Sequence, residues 1–277
     1  MGIFDHRLKV TLRESDHRYF DQFGNEYISQ SKFFGMFKNK FDVERQSGFS
    51  AAKQLRESGI ANPTPTQIAV KAEQLKAQWS GIGSHASAHG HGIHTPLELY
   101  GKGLVKSVHP SFHKLCKEIY DPHLSKAKWF NEHVFFLENE RIAGTADLAI
   151  ARTKSVQTIL DIDDFKTNVR RGIEFSNKYG NYMKFPLSHL EDCNYNHYAL
   201  QISLYSYMAK ITHGLKTGSQ FIRYIKAEVE NGICLSYNLI SYPVPFMYYE
   251  VEAALEYYMS MKKEHPEQEF LDEAIEP

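Results

Sequence analysis

The chain is poor in cysteine: three residues (Cys116, Cys193, Cys234), an odd number, with no CxxC pair. That excludes a disulfide framework and a four-cysteine iron–sulfur cluster, and it suits a reducing cytosol. No apolar run reaches the length of a membrane span, and no N-terminal stretch has the basic head, apolar centre and small-residue end of a signal peptide. No Gly-, Ser- or Pro-rich linker divides the chain, and no segment repeats. There is also no charge surplus: 32 Lys and Arg stand against 33 Asp and Glu, a formal net charge of −1. A nucleic-acid binder usually carries a basic footprint, so any basic groove must be local. The acids are uneven, however. Residues 264–277 carry Glu264, Glu267, Glu269, Asp272, Glu273 and Glu276 with no Lys or Arg, so the remainder is net basic. A terminus of that composition reads as a solvated tail.

What is present is an ordinary globular composition, 42% hydrophobic and 23% charged over 277 residues, enough to bury a core. Leu8–Leu12, His17–Phe20 and Glu26–Ile28 alternate as short strands around a turn at Phe23–Asn25. Phe33, Phe34, Phe37 and Phe41 follow at helical spacing and read as a core stripe. Asn62–Thr66 breaks the chain, and Gln67–Trp79 is amphipathic. Residues 81–103 are rich in Gly and His, and 110–119 form another short helix. Residues 128–168 are extended in three runs. Tyr195–His213 is a helix stopped by Gly214. Glu230-Asn231-Gly232 turns a hairpin, and Val244–Lys263 is the last helix. The pattern predicts a mixed α/β fold, a central mixed sheet flanked by helices. The segments are an N-terminal strand and helix elaboration (1–78), a core (79–263) and the acidic tail (264–277), compact as a whole.

The chemistry concentrates in two neighbouring strands, Gly144-Thr-Ala-Asp147 and Leu160-Asp-Ile-Asp-Asp164-Phe-Lys166. A turn at Lys154–Ser155 sets Asp147 opposite Ile162 and Asp164 one pair along on the same face, roughly 7–8 Å away. Lys166 shares that face, and Asp161 and Asp163 point away. Two carboxylates so close repel unless a divalent cation lies between them, and oxygen donors suit Mg2+ or Mn2+. Such an ion polarises a phosphoryl oxygen and acidifies water, with Lys166 stabilising the phosphate charge. The same spacing is also that of a strand-end Asp–Lys salt bridge.

Two helical constellations accompany the pair. His94 and Glu98 lie four apart, one helical turn, and could complete the metal shell. Thr95-Pro96-Leu97-Glu98 also reads as a capping box, which would give Glu98 to a helix end. Proline inside a helix costs about 3 kcal/mol, so a kink or a fresh start near residue 95 is expected. Glu98 stays open between the two roles. His85, His89 and His91 could instead form a zinc site with His94, but no cysteine accompanies them and histidine is often simply a polar surface residue. Gln201 and Tyr205, again four apart, could hydrogen-bond a metal-bound water or a phosphate. Arg170, Arg171, Lys178 and Lys184 interleave with Phe175, Tyr179, Tyr182 and Phe185, a composition that suits a passing single strand as well as a plain surface loop.

Taken in order, GIHTPLE (92–98), AGTAD (143–147), ILDIDDFKT (159–167) and QISLY (201–205) resemble the RecB-like branch of the PD-(D/E)xK nuclease superfamily, over about residues 79–210. The opening HRYFDQFGNEYIS is similar to phage-type members, and the whole is similar to phage and mitochondrial exonucleases of that branch. The resemblance implies a restriction-endonuclease-like core and a one- or two-metal DNA exonuclease acting in recombination, repair or phage DNA processing. It implies a cytoplasmic setting and Mg2+ or Mn2+ without an iron–sulfur cluster. His94, Asp147, Asp164 and the main-chain carbonyl of Phe165 would bind metal, with Glu98 in doubt. Lys166 would be catalytic and Gln201 and Tyr205 supporting, while Arg170, Arg171, Lys178, Lys184 and Tyr182 would meet DNA. A structure-selective endonuclease and a silent DNA-binding module are the alternatives. A homo-oligomer or a recombination partner protein is compatible with the sequence, and a membrane is not.

Overall fold

The structure is a computed structural model and describes residues 3–4, 6–123, 127–154, 156–167 and 172–264. In chain order the elements are β1 (Val10–Arg13), β2 (Arg18–Asp21), β3 (Glu26–Ser29), α1 (Gln30–Gly35), α2 (Val43–Glu57), α3 (Pro65–Gly101) and α4 (His113–Tyr120). They continue as β4 (Lys128–Leu137), β5 (Ile142–Lys154), β6 (Gln157–Lys166), α5 (Asn194–His213), β7 (Lys216–Glu230), β8 (Ile233–Pro243) and α6 (Tyr248–Glu264). The strands form one eight-stranded mixed sheet in the order β1-β2-β3-β5-β6-β7-β8, with β4 also pairing β5. β4, β5 and β6 run as an antiparallel meander, and α5 then crosses back so that β7 pairs β6 in parallel.

Alternation along the strands sorts the apolar side chains onto two faces. Ala149, Ala151, Leu160 and Ile162 join α1, α5 and α6 in one cluster, while Leu148, Ile150 and Phe165 join α3 and α4 in the other. α5 lies under so much protein that nine of its residues are buried, and it ends where Gly214 takes φ +64°. The β7–β8 turn has φ +49° at Asn231 and +75° at Gly232, the left-handed pair that a tight two-residue hairpin needs.

Three details differ from expectation. The β5–β6 ladder closes at Lys154↔Gln157, two residues from the pairing that a Lys154–Ser155 turn would give; Ser155 itself lies outside the described residues. A shift of two preserves every face. Its effect is to bring Asp164 directly opposite Asp147 rather than one pair along, since the register runs to Leu148↔Asp163. Second, Phe41 leaves the aromatic stripe. Phe33, Phe34 and Phe37 are buried, but the helix stops at Gly35 and Phe41 is 65% exposed beside Trp79.

Third, no break occurs near residue 95. α3 runs unbroken through Pro96, and through the 78/79 segment boundary. Tertiary anchoring outweighs the local cost of the proline. Ile93 and Leu97 are fully buried on one side, Tyr120 donates to the Leu97 carbonyl at 3.0 Å, and Trp129 donates to the Gly101 carbonyl at 3.0 Å. Thr95 is therefore not an N-cap. The capping box of this helix is Thr64 with Gln67 at its true start. No described helix is long and apolar enough to cross a membrane.

Candidate active site

A cleft of about 530 Å³ opens where the ends of β5 and β6 meet α3, α5 and the N-terminal strands. Asp147 and Asp164 face it from adjacent strands, and Lys166 follows on the same face. Lys166 forms an ion pair with Asp164 and lies 4.7 Å from the centre of the Tyr198 ring. Gln201 comes down from α5 and donates to Asp164 Oδ1 at 3.2 Å and to the Tyr205 hydroxyl at 3.0 Å. Gly144 explains the glycine of the GTAD strand: a Cβ there would come within 2.7 Å of both Gln30 and the Tyr205 ring. The α5 tyrosine can reach the site because that strand has no side chain beneath it.

α3 supplies the opposite wall. It passes the strand ends so closely that a Cβ on Gly90 would stand 3.2 Å from Thr167 Oγ1. One turn on, His94 Nδ1 lies 3.5 Å from Asp147 Oδ1. The other oxygen, Asp147 Oδ2, accepts the Phe165 amide at 2.5 Å. Phe165 thus fixes Asp147 through its main chain, while its ring packs at 6.0 Å from His94. Glu98 also lines the cleft but is ion-paired with Lys102, one turn further along α3. His85 and His89 stack on each other at 6.5 Å and are absent from the metal-like cluster.

The sequence reading missed Glu132. His94, Glu132 and Asp147 each offer a ligand atom, all within 4.8 Å of one another. β4 pairs β5 at Asn131↔Leu148 and again at His133↔Ala146, with Glu132 facing Asp147 in the gap. Glu132 has φ +51°, in the left-handed region that a non-glycine residue seldom occupies. That twist swings the one carboxylate of the strand out of the pleat. Strand periodicity cannot show this; the only available signal was a lone acid in KWFNEHVFFL. Tyr198, beneath Lys166, was also missed.

The electrostatics follow from burial. Desolvation, reinforced by Asp147 and Glu98, raises the Glu132 carboxyl to about 8. Desolvation also raises Asp164, to about 6, with Lys166 opposing and Asp147 reinforcing the rise. For Asp147, burial works against the charged form, but His94, Lys166 and the Phe165 amide outweigh it and hold its pKa below the ordinary value. Burial works against the charged Lys166 too, and Asp164 and Asp147 outweigh it, so its pKa is raised. His94 behaves alike: burial lowers it, and Asp147 more than compensates. Asp164 Oδ2 is buried, and its partner is the Lys166 ammonium.

The two remaining acids of the motif lie on the reverse face. Asp161 pairs with Arg152 at 2.6 Å and Asp163 with Arg223 at 2.7 Å. Of the residues expected to meet DNA, Arg170 and Arg171 lie outside the described residues. Tyr182 is exposed, its carbonyl holding the Asn39 amide at 2.7 Å. Lys178 pairs with Glu174 at 3.6 Å, and the Lys184 amide donates to the Phe37 carbonyl at 2.7 Å. None of these three lines the cleft. No protein-family model matches the chain, and no curated protein is significantly similar to it.

Proposed function

We propose that the chain is a divalent-metal-dependent nuclease that hydrolyses DNA phosphodiester bonds from strand ends, in recombination, repair or phage DNA processing. The observation that carries this reading is the charge of the cleft. Glu14, Glu98, Glu132, Asp147 and Asp164 line it, with Lys166 as the one lysine or arginine among the described residues. A wall so acidic repels a phosphate by itself, and carboxylates packed this closely favour a hard cation between them. The donor set fits Mg2+ or Mn2+: carboxylate oxygens, one imidazole, and no thiolate in the cleft. His94, Glu132, Asp147 and Asp164 would hold it, with the Phe165 carbonyl available from the same strand. Glu98, neutralised by Lys102, is the least suited of the acids.

When bound, the ion would polarise a phosphoryl oxygen and lower the pKa of the attacking water. Phosphoryl transfer otherwise asks for positioning and charge stabilisation. Lys166 supplies the positive charge at the scissile phosphate, steadied over Tyr198. Gln201 holds Asp164 in place without adding charge, and Tyr205 holds Gln201. The antiparallel β4–β5–β6 meander, the α5 crossover and parallel β7 support a PD-(D/E)xK core of the RecB-like kind, with His94 on the helix preceding it. Exposed Tyr179, Tyr182 and Phe185 with Lys178 offer stacking faces and charge to a single strand.

Labelled linear and circular DNA with Mg2+ tests the reading. Loss of linear DNA alone is expected. Cutting of circles would make the enzyme an endonuclease, and no cutting of either would leave a binding module.

A further inference from the structure

The sheet has an edge that differs from its others. β8, eleven residues reading ICLSYNLISYP, carries no charged side chain. Among the described residues it pairs only with β7. Ser111 takes the Cys234 amide at 3.0 Å, and beyond that, among the described residues, the outer side of residues 235–242 meets no other element's backbone. An open groove of about 500 Å³ runs along residues 234–239 beside α4. Leu235 is 55% exposed there.

Proteins protect strand edges with charge, shortness or local distortion. The other exposed strands do so. β1 has four residues and ends in Arg13. β4 begins with Lys128 and is interrupted by the left-handed Glu132. β8 has the register shift opposite Glu228 and Val229 at its start and Pro243 at its end; between them, from Ser236 to Tyr242, the ladder is regular. Along this regular, uncharged edge the backbone groups of Tyr237, Leu239 and Ser241 point outward and are open to pairing, while Pro243 has no N–H and its carbonyl accepts the Tyr195 hydroxyl at 3.0 Å.

We propose that β8 pairs antiparallel with β8 of a second copy of this chain, continuing the sheet across a two-fold axis. The absence of charge selects this partner. Across a two-fold axis each residue near the centre meets its own copy or a near neighbour, so a charge there would face its like. With the axis at Leu239, exposed Leu235 of one copy faces Pro243 of the other, and Tyr237 faces Ser241. The alternative occupant is the chain's own residues 265–277, which follow α6. Its acidic composition finds no basic row on β8.

Sedimentation velocity on the full chain reads the answer. A species of twice the 32.0 kDa chain mass is expected to grow with concentration. Asn238→Asp is expected to raise its dissociation constant at least tenfold. That acid faces Lys226 within the hairpin, so the fold is kept, and circular dichroism checks it. Hydrogen exchange at residues 236–242 is expected to slow in the dimer and to stay fast in the variant. A single-chain mass at all concentrations overturns the proposal, as does a dimer that Asn238→Asp leaves intact. If deleting residues 265–277 converts a monomer into a dimer, the tail covers the edge and the proposal also fails. The cleft is untouched in every case, so DNA cleavage reports separately on the nuclease reading.

Discussion

Glu132 and Asp164 are acids that burial holds partly protonated. For both, the folded pKa lies above the unfolded value: about 8 against 4.5 for Glu132, about 6 against 3.8 for Asp164. The folded protein therefore binds more protons than the unfolded chain over these intervals, and its stability falls as pH rises through them. Without metal, the melting temperature is expected to drop between pH 5 and 8. Glu132→Gln should remove the upper part of that drop and be the more stable protein at pH 8. Mg2+ should raise the melting temperature more at pH 8 than at pH 5.5, because only the ionised carboxylates hold it. A metal-free melting curve flat across this range would contradict the assigned burial. Lys166 makes a separate claim. Lys166→Ala removes the cation at the phosphate, and a loss of about 10²–10³ in turnover is expected, the size seen when one charge-stabilising donor is removed. Near-ultraviolet circular dichroism should show the fold retained.

At the scale of elements, the site depends on α3 and on the absence of a side chain at Gly144. Leu97 is fully buried one residue past Pro96. Leu97→Ala is expected to cost about 2–5 kcal/mol in denaturant unfolding, and to weaken metal binding by loosening the turn that carries His94. Gly144→Ala forces a contact within 2.7 Å of Tyr205 and Gln30. It is expected to cost roughly 1–3 kcal/mol and to lower turnover through Gln201, with metal affinity less affected. These elements also show how far the sequence could be read. Period-two patterning located β5 and β6, and parity alone put Asp147, Asp164 and Lys166 on one face, so an error of two in register did no harm. Helical spacing likewise joined His94 to Glu98 and Gln201 to Tyr205. Pro96 misled because the contacts that keep its helix intact come from Tyr120 and Trp129, distant in sequence. Glu132 escaped because a positive φ within a strand leaves no periodic trace. Phe41 was assigned to the core by spacing that ended with the helix at Gly35.

For the whole molecule, near-neutral net charge and an acidic cleft give opposite expectations for DNA without metal and with it. Without a divalent ion, the ionised Asp147 and Asp164 repel the backbone; with one, these carboxylates hold the cation that draws it in. Binding of single-stranded DNA in EDTA is therefore expected to be weak and to tighten on adding Ca2+, an oxygen-preferring ion, with fluorescence anisotropy as the measure. Asp147→Asn, which halves the charge of the facing pair, should blunt that tightening. The most direct measurement of the central claim is the turnover of end-labelled linear DNA in Mg2+, in Mg2+ with excess EDTA, and in Mg2+ with Lys166→Ala. Cleavage in the first condition and its loss in the other two is the expected result. Full cleavage by Lys166→Ala, or cleavage that persists in EDTA, would contradict the account.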